Sequence, residues 1–251
     1  MAETNQHTID LLLHLADNAL ILAQRNGEWC GHGPILEQDI AITNITLDLI
    51  GQSRLFYQYA ATLIGNGATE DSLAFLRTEK EYKNLLLVEC PNGNWAQTIG
   101  KQFLFSTYQQ LLFTELLLAG DAELAAITEK SLKEIKYHVR WSSEWVIRLG
   151  DGTAESKEKM QCAINELWAY TGEIFTPTAY ENSLELNWNS LHTQWEKNCQ
   201  AIFEKATLDT GILNQNIFMH QGGKTGIHSK EMGPLLADLQ YMQRTFPNCE
   251  W

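Results

Sequence analysis

The sequence predicts an all-α protein, a four-helix bundle with additional C-terminal helices. Only five prolines interrupt its 251 residues. The long intervals between them are rich in Leu, Ala, Ile, Glu and Gln, which favour helix. No alternating strand pattern occurs, and no Asn-Gly or Asp-Gly pair stands between β-branched runs. Four of the helical segments are long and fall into two pairs separated by a longer excursion, which is the layout of a bundle.

The first helix is expected from about Thr8 to Arg25. It is apolar nearly all round and therefore central. Asn26-Gly27 ends it, Gly31-His32-Gly33-Pro34 forms the connection, and Pro34 suits a first helical turn. The second helix is expected over Ile35 to Ile64, closed by Gly65-Asn66-Gly67. Shorter helices are expected over Glu70–Arg77 and Lys80–Leu86, before the break at Pro91-Asn92-Gly93. The third long helix spans Trp95 to Leu118 and the fourth Ala122 to Leu149. On the fourth, Leu124, Ile127, Ser131, Ile135, His138, Ser142, Trp145 and Leu149 recur at helical spacing as one face. A fifth helix covers Ala154 to Thr171, with Met160, Ile164, Leu167 and Trp168 inward. A sixth covers Leu184 to Ala206. The stretch Gln221 to Gly226 reads as loop, and Gly233-Pro234 opens a last helix reaching Arg244. No polar linker divides the chain, so residues 1–251 are read as one domain.

Composition narrows the function classes. The net charge is −13 with no basic stripe, which argues against nucleic-acid binding through phosphate neutralisation. No apolar run is long enough for a membrane span, and MAETNQHTID lacks the basic residues of a secretory signal, so the expected location is cytoplasmic. The five cysteines, Cys30, Cys90, Cys162, Cys199 and Cys249, form no C-x-x-C and read as free thiols. Gly222-Gly223-Lys224-Thr225 matches the tail of a phosphate loop, but Phe218 stands where the upstream Gly is required and no strand precedes it. No Gly-x-Ser-x-Gly elbow is present. The eight tryptophans and eight tyrosines fit an interface or a bundle core equally well.

A long-helix bundle invites a di-iron test. That centre takes a carboxylate from each of two helices and a Glu-x-x-His pair from each of the other two. Three residues before His7, His14, His32, His138, His192, His220 and His228 stand Thr4, Leu11, Trp29, Ile135, Asn189, Ile217 and Thr225, none of them acidic. Both copies of the required pair are thus missing, and no metal or cofactor is expected in this chain. An echo persists in the spacing. Asp17 and Asp48 are separated by almost the same interval as Gln102 and Glu134, so the two pairs can occupy matching levels of two hairpins. Asp48-x-x-Gly51 and Glu134-x-x-Tyr137 then stand where Glu-x-x-His would be, but Gly51 and Tyr137 cannot supply an imidazole nitrogen. The plainer reading is ordinary polar positions on bundle helices.

Other clusters carry similar pairs of readings. Asp10, His14 and Asp17 share one face of the first helix, as a metal or proton relay, or as a solvated stripe or a satisfied buried network. Glu134 and His138 are i, i+4 neighbours, by default a hydrogen-bonded pair. Lys224, His228 and Lys230 form a small basic cluster, a candidate meeting point for an acidic partner or a nucleotide phosphate, with a solvated loop as the plainer alternative.

The chain also resembles a known family. Gly27-Glu28-Trp29-Cys30-Gly31-His32, Leu47-Asp48-Leu49-Ile50-Gly51-Gln52, Asn84-Leu85-Leu86-Leu87-Val88-Glu89 and Pro91-Asn92-Gly93-Asn94 carry the resemblance, as do Lys133-Glu134-x-x-Tyr137-His138 and Arg148-Leu149-Gly150-Asp151-Gly152-Thr153. Gly222-Gly223-Lys224-Thr225-Gly226-Ile227-His228 and Gly233-Pro234 complete it. In matching order from Leu13 to Arg244, they resemble the structural C-type subunits of bacterial ring 1,2-phenylacetyl-CoA epoxidases (phenylacetate-CoA oxygenases). The resemblance implies a ferritin-like bundle without iron ligands of its own. It implies a sister ferritin-like catalytic subunit holding di-iron and the CoA substrate, and a reductase subunit with flavin and an iron–sulfur cluster that draws on NADPH. The role implied is a non-catalytic scaffold in aerobic phenylacetate degradation. Two other readings stand beside it: an oxygenase with unconventional ligands among Asp17, Asp48, Glu134 and His138, and a free-standing binding module.

Overall fold

The computed structural model describes residues 2–247 and 249, the side chains of residues 2–4 excepted. Among these residues there are ten α-helices and no strand. They are α1 (Ala2–Gly27), α2 (Leu36–Ile64), α3 (Glu70–Phe75), α4 (Leu86–Glu89), α5 (Trp95–Leu116), α6 (Ala122–Gly150), α7 (Ala154–Trp168), α8 (Ala179–Asn182), α9 (Trp188–Lys205) and α10 (Met232–Thr245).

Local chemistry accounts for most boundaries. Asn94 caps α5 through the backbone N–H groups of Ala96 and Gln97, with Gln97 returning the bond. Asp121 caps α6 and Asn187 caps α9 in the same way. Thr153 and Ser156 form a capping box at α7. α1 begins before the expected Thr8, and α2 begins at Leu36 with Pro34 left outside it. The sequence expectation failed over Lys80–Leu86. Instead of a helix the chain makes one 3₁₀ turn at Glu79–Glu81, runs extended, and enters α4. The backbone of residues 83–85 bonds to side chains of α1, not to its own next turn, and so cannot close helical hydrogen bonds. The expected fifth helix stops at Trp168 and continues as a 3₁₀ turn over Gly172–Phe175, while α8 has no counterpart among the sequence expectations. Part of the expected loop 221–226 is a 3₁₀ turn at Gly223–Thr225.

The chain forms two compact units. Unit 1 gathers residues 1–89, 178–184 and 222–251; unit 2 gathers 90–177 and 185–221. Residues 1, 248, 250 and 251 of the expected single domain lie outside the described residues.

Unit 1 is organised around α1, which packs along α2 and against α4 and α8. As its composition predicted, α1 is buried on almost every side from Ile9 to Asn26. Leu12, Ala16, Ile21 and Leu22 are fully enclosed, each large apolar side chain contributing roughly 1.5–3 kcal/mol of burial. Gly226, at φ +81°, lies so close to the Lys80 carbonyl that any Cβ would collide with it. Gly51 is the opposite case. It is exposed in the middle of α2, and a Cβ there would meet nothing within 4 Å. Gly51→Ala should therefore stabilise the isolated chain by about 0.5–1 kcal/mol, read as a higher denaturant midpoint.

In unit 2, α5 and α6 pack along each other and α7 and α9 pack on both. The α6 face expected from the sequence is the buried one, with Trp145 and Leu149 half-buried at its end. Met160, Ile164, Leu167 and Trp168 point inward as predicted. Trp195 is fully buried, stacks on Trp168 at 5.1 Å and donates its Nε1–H to the Leu104 carbonyl at 3.0 Å. All five cysteines are free thiols.

Candidate functional site

The polar chemistry of unit 1 is concentrated on one stripe of α1. Asp10, His14, Asp17 and Asn18 fall at helical spacing, and the last three are buried. The segment Arg77–Glu89, the α8 turn and the 222–229 segment bring their charged groups to this stripe. Three buried carboxylates result, and each has its own cation.

Asp17 is fully buried. It pairs with the Arg77 guanidinium, accepts the Tyr57 hydroxyl at 2.5 Å and accepts the Lys83 backbone N–H at 2.8 Å. Arg77 also donates to the Leu73 and Glu81 carbonyls and lies 4.3 Å over the Tyr82 ring. Burial first, and then the Asp17 charge, raise the Tyr57 phenol well above its ordinary pKa, so it stays a donor.

Glu181, on α8, receives the Lys224 ammonium at 2.8 and 2.9 Å, and the backbone N–H and hydroxyl of Thr178 through a capping box. Glu89, the last residue of α4, receives His228 at 2.5 Å, Ser229 through both N–H and hydroxyl, and the Asn84 amide. The Glu89 carbonyl takes two bonds from Arg25.

The two histidines are pushed in opposite directions from their ordinary pKa, and geometry explains both. His228 Nδ1 faces the Glu89 carboxylate and Nε2 faces the Tyr82 carbonyl at 3.0 Å. Both partners only accept, so both ring nitrogens carry hydrogen. Burial opposes that charge, but the Glu89 hydrogen bond and charge outweigh it and raise the pKa, with Glu79 adding to the effect. His14 Nδ1 donates to the Lys83 carbonyl at 2.6 Å, leaving Nε2 to accept from the Asn18 amide at 3.2 Å. Burial lowers its pKa, Lys224 adds to this, and Glu181 and Asp17 oppose it. Glu181 stands 3.8 Å from Nε2, so with a neutral ring the contact is not an ion pair.

The sign of the pH dependence follows, since both histidines have an ordinary value of 6.5. The proton on His228 contributes stability that is full below 6.5 and lost as pH rises through its raised folded value. His14 resists a proton that the unfolded chain accepts, so stability also falls as pH drops below 6.5. Melting temperature against pH should therefore peak near 6.5. His228→Gln should remove the loss on the alkaline flank and leave the acid flank in place. An alkaline flank identical in the variant would contradict this assignment.

The sequence candidates fall into different surroundings. The stripe Asp10, His14, Asp17 is a satisfied network, with Asp10 3.5 Å from the Lys83 ammonium. Asp48 is half-buried and Gly51 exposed on α2. In unit 2, Gln102 and His138 are buried, Glu134 is half-buried and Tyr137 is exposed. Beside Gln102, the buried Lys101 ammonium donates to the Cys90 carbonyl and the Asn92 side chain. The basic cluster is corrected on two counts. Lys224 and His228 are neither a solvated loop nor an accessible patch; their cationic groups are internal and committed to Glu181 and Glu89. Of the three, Lys230 alone is open to solvent.

Sequence reasoning missed Arg77, Glu89 and Glu181. Glu89 and Glu181 lie on four-residue helices too short to show periodicity. Only the Thr178-x-x-Glu181 capping pattern was there to be read.

A di-iron centre needs several carboxylates and imidazoles with free lone pairs facing one point. Among the described residues, no three His, Cys, Asp or Glu side chains gather at metal-binding distance. The three buried carboxylates of unit 1 spend their oxygens on Arg77, Lys224, His228 and neighbouring donors. These residues do not fit a di-iron centre. No helix among the described residues is long and apolar enough to cross a membrane.

The family model described as "Phenylacetic acid catabolic protein" matches residues 1–251. A relative from Escherichia coli (strain K12), the C-type subunit of 1,2-phenylacetyl-CoA epoxidase, is 46% identical over 244 residues, which covers 95% of this chain and 97% of the relative.

Proposed function

Because the chain belongs to the phenylacetic acid catabolic protein family, a ferritin-like helical family, we propose that it is the non-catalytic structural subunit of a 1,2-phenylacetyl-CoA epoxidase. In this reading it works in the cytoplasm as one ferritin-like domain beside a ferritin-like catalytic subunit that holds di-iron and substrate. A reductase carrying flavin and an iron–sulfur cluster supplies electrons from NADPH. The chain itself carries no metal or cofactor.

One observation carries the reading: every buried carboxylate of the α1 network already holds a cation supplied by the protein. Iron would have to displace Arg77 from Asp17, Lys224 from Glu181 or the His228 imidazolium from Glu89. Each displacement would leave a buried, unpaired positive charge. The network is suited to stiffness, because it ties three separated stretches of chain to one helix. A rigid partner that binds only the folded catalytic subunit stabilises it by mass action, by roughly 2.7 kcal/mol at a hundredfold excess over the dissociation constant.

The test is co-expression. The catalytic subunit should be soluble and iron-loaded in the presence of this chain and should aggregate or lose activity without it. This chain purified alone from iron-supplemented cells should hold far less than one iron per molecule. Near-stoichiometric iron in the lone chain, with oxygen consumption, would establish the alternative of an oxygenase with its own unconventional site.

A further inference from the structure

The most apolar open surface of unit 1 lies on α2. Leu36 is 72% exposed, Leu47 61%, and Ile40 and Ile50 about half. Leu36 and Ile40 stand one turn apart, as do Leu47 and the pair Ile50 and exposed Gly51; all fall on one face of the helix, a stripe over about four turns, with Thr43 between the two groups. Exposed apolar side chains gathered on one helix face mark interaction sites. Gly51 is informative because an exposed glycine inside a helix is a local weakness. Its Cβ direction is open, so nothing within this chain requires a glycine there, and the bare backbone leaves room for another chain to pack close.

The stripe runs into a cavity of about 210 Å³. Leu20, Ile50, Tyr57, Ala74 and Phe75 wall it, together with Ser53. The Ser53 hydroxyl is buried and has no hydrogen-bond partner among the described residues. A socket with an apolar floor, charged groups of Arg54, Glu70 and Asp71 at its rim and one unsatisfied hydroxyl suits an aromatic side chain whose N–H or O–H reaches the serine, the type of anchor that dominates protein interfaces.

Charge selects the occupant. Glu37 at the start of the stripe and Asp71 at the cavity are exposed, while Arg54, the cation at the mouth, is already 3.4 Å from Glu70. The flanks are acidic in a chain of net charge −13, so a second copy would bring like charges together. A helix with an apolar ridge, basic flanks and a protruding Tyr or Trp is complementary.

We propose that the exposed face of α2, from Leu36 to Arg54 and including the Ser53 cavity, is the surface on which such a helix of the catalytic partner docks. This rests on the scaffold reading above and adds where the partner sits. The experiment measures affinity between the purified chain and the catalytic subunit. Leu47→Asp and Gly51→Leu should each weaken binding tenfold or more without lowering the melting temperature of the isolated chain, because both positions are solvent-facing in it. Leu118→Asp, at a still more exposed leucine just after α5, should stay within twofold of wild type. If the wild-type chain binds and both stripe variants bind equally well, the docking face is wrong and the scaffold reading stands. If the wild-type chain does not bind, both fall. A chain that dimerises through Leu47 would make the occupant a second copy and overturn the proposal.

Discussion

Arg77→Ala is expected to lower the stability of the isolated chain by about 3–5 kcal/mol, the usual cost of removing one partner of a buried ion pair. For a protein of this size that lowers the melting temperature by on the order of 10 °C. The reason is the surroundings of Asp17, which has no exposure to water and would be left with only the Tyr57 hydroxyl and Lys83 N–H as partners. The variant also frees the Leu73 and Glu81 carbonyls and removes the cation from the Tyr82 ring. A double variant separates charge from packing. Asp17→Asn keeps an acceptor for Tyr57, and Arg77→Met keeps much of the volume. The pair together should cost clearly less than the sum of the single changes, as expected of coupled residues. Strict additivity in denaturant titrations would mean that Asp17 and Arg77 do not act as an ion pair.

Glu89→Ala is expected to be comparably severe but local. It removes the carboxylate from the His228 imidazolium and the acceptor from both Ser229 donors and the Asn84 amide. Charge-assisted bonds of this kind are worth about 1.5–3 kcal/mol each, and their loss falls on the segment that leads into α10. Hydrogen exchange should therefore rise mainly in residues 222–245, and limited proteolysis should cut first near Gly226. With its anion gone, His228 should titrate below its present value, and the alkaline loss of stability should vanish from the pH profile. Glu89→Gln, which keeps an acceptor, should do less damage. Uniform exchange changes across unit 1 would argue against a latch between α4 and the C-terminal segment.

Much of the fold was legible because it depends on local, periodic signals. The four long helices, the inward face of α6 and the core positions of α7 follow from 3.6-residue spacing and from caps such as Asn94, Asp121 and Thr153. The segment Lys80–Leu86 was misread because its composition favours helix while its backbone groups bond to His14, Asp17 and Asn18, more than sixty residues away. No local pattern records such a bond.

The same division holds for the functional reading. The sequence by itself determined the helical class, the missing Glu-x-x-His pairs and the family resemblance, because each is a property of residue types at fixed spacing along the chain. Only the tertiary structure decided what the buried carboxylates hold. Asp17 finds Arg77, Glu181 finds Lys224 and Glu89 finds His228 across intervals of 60, 43 and 139 residues. An ion pair depends on distance and burial in space, so Lys224 and His228 could look like surface cations in the sequence and prove to be interior counter-ions once the chain folded.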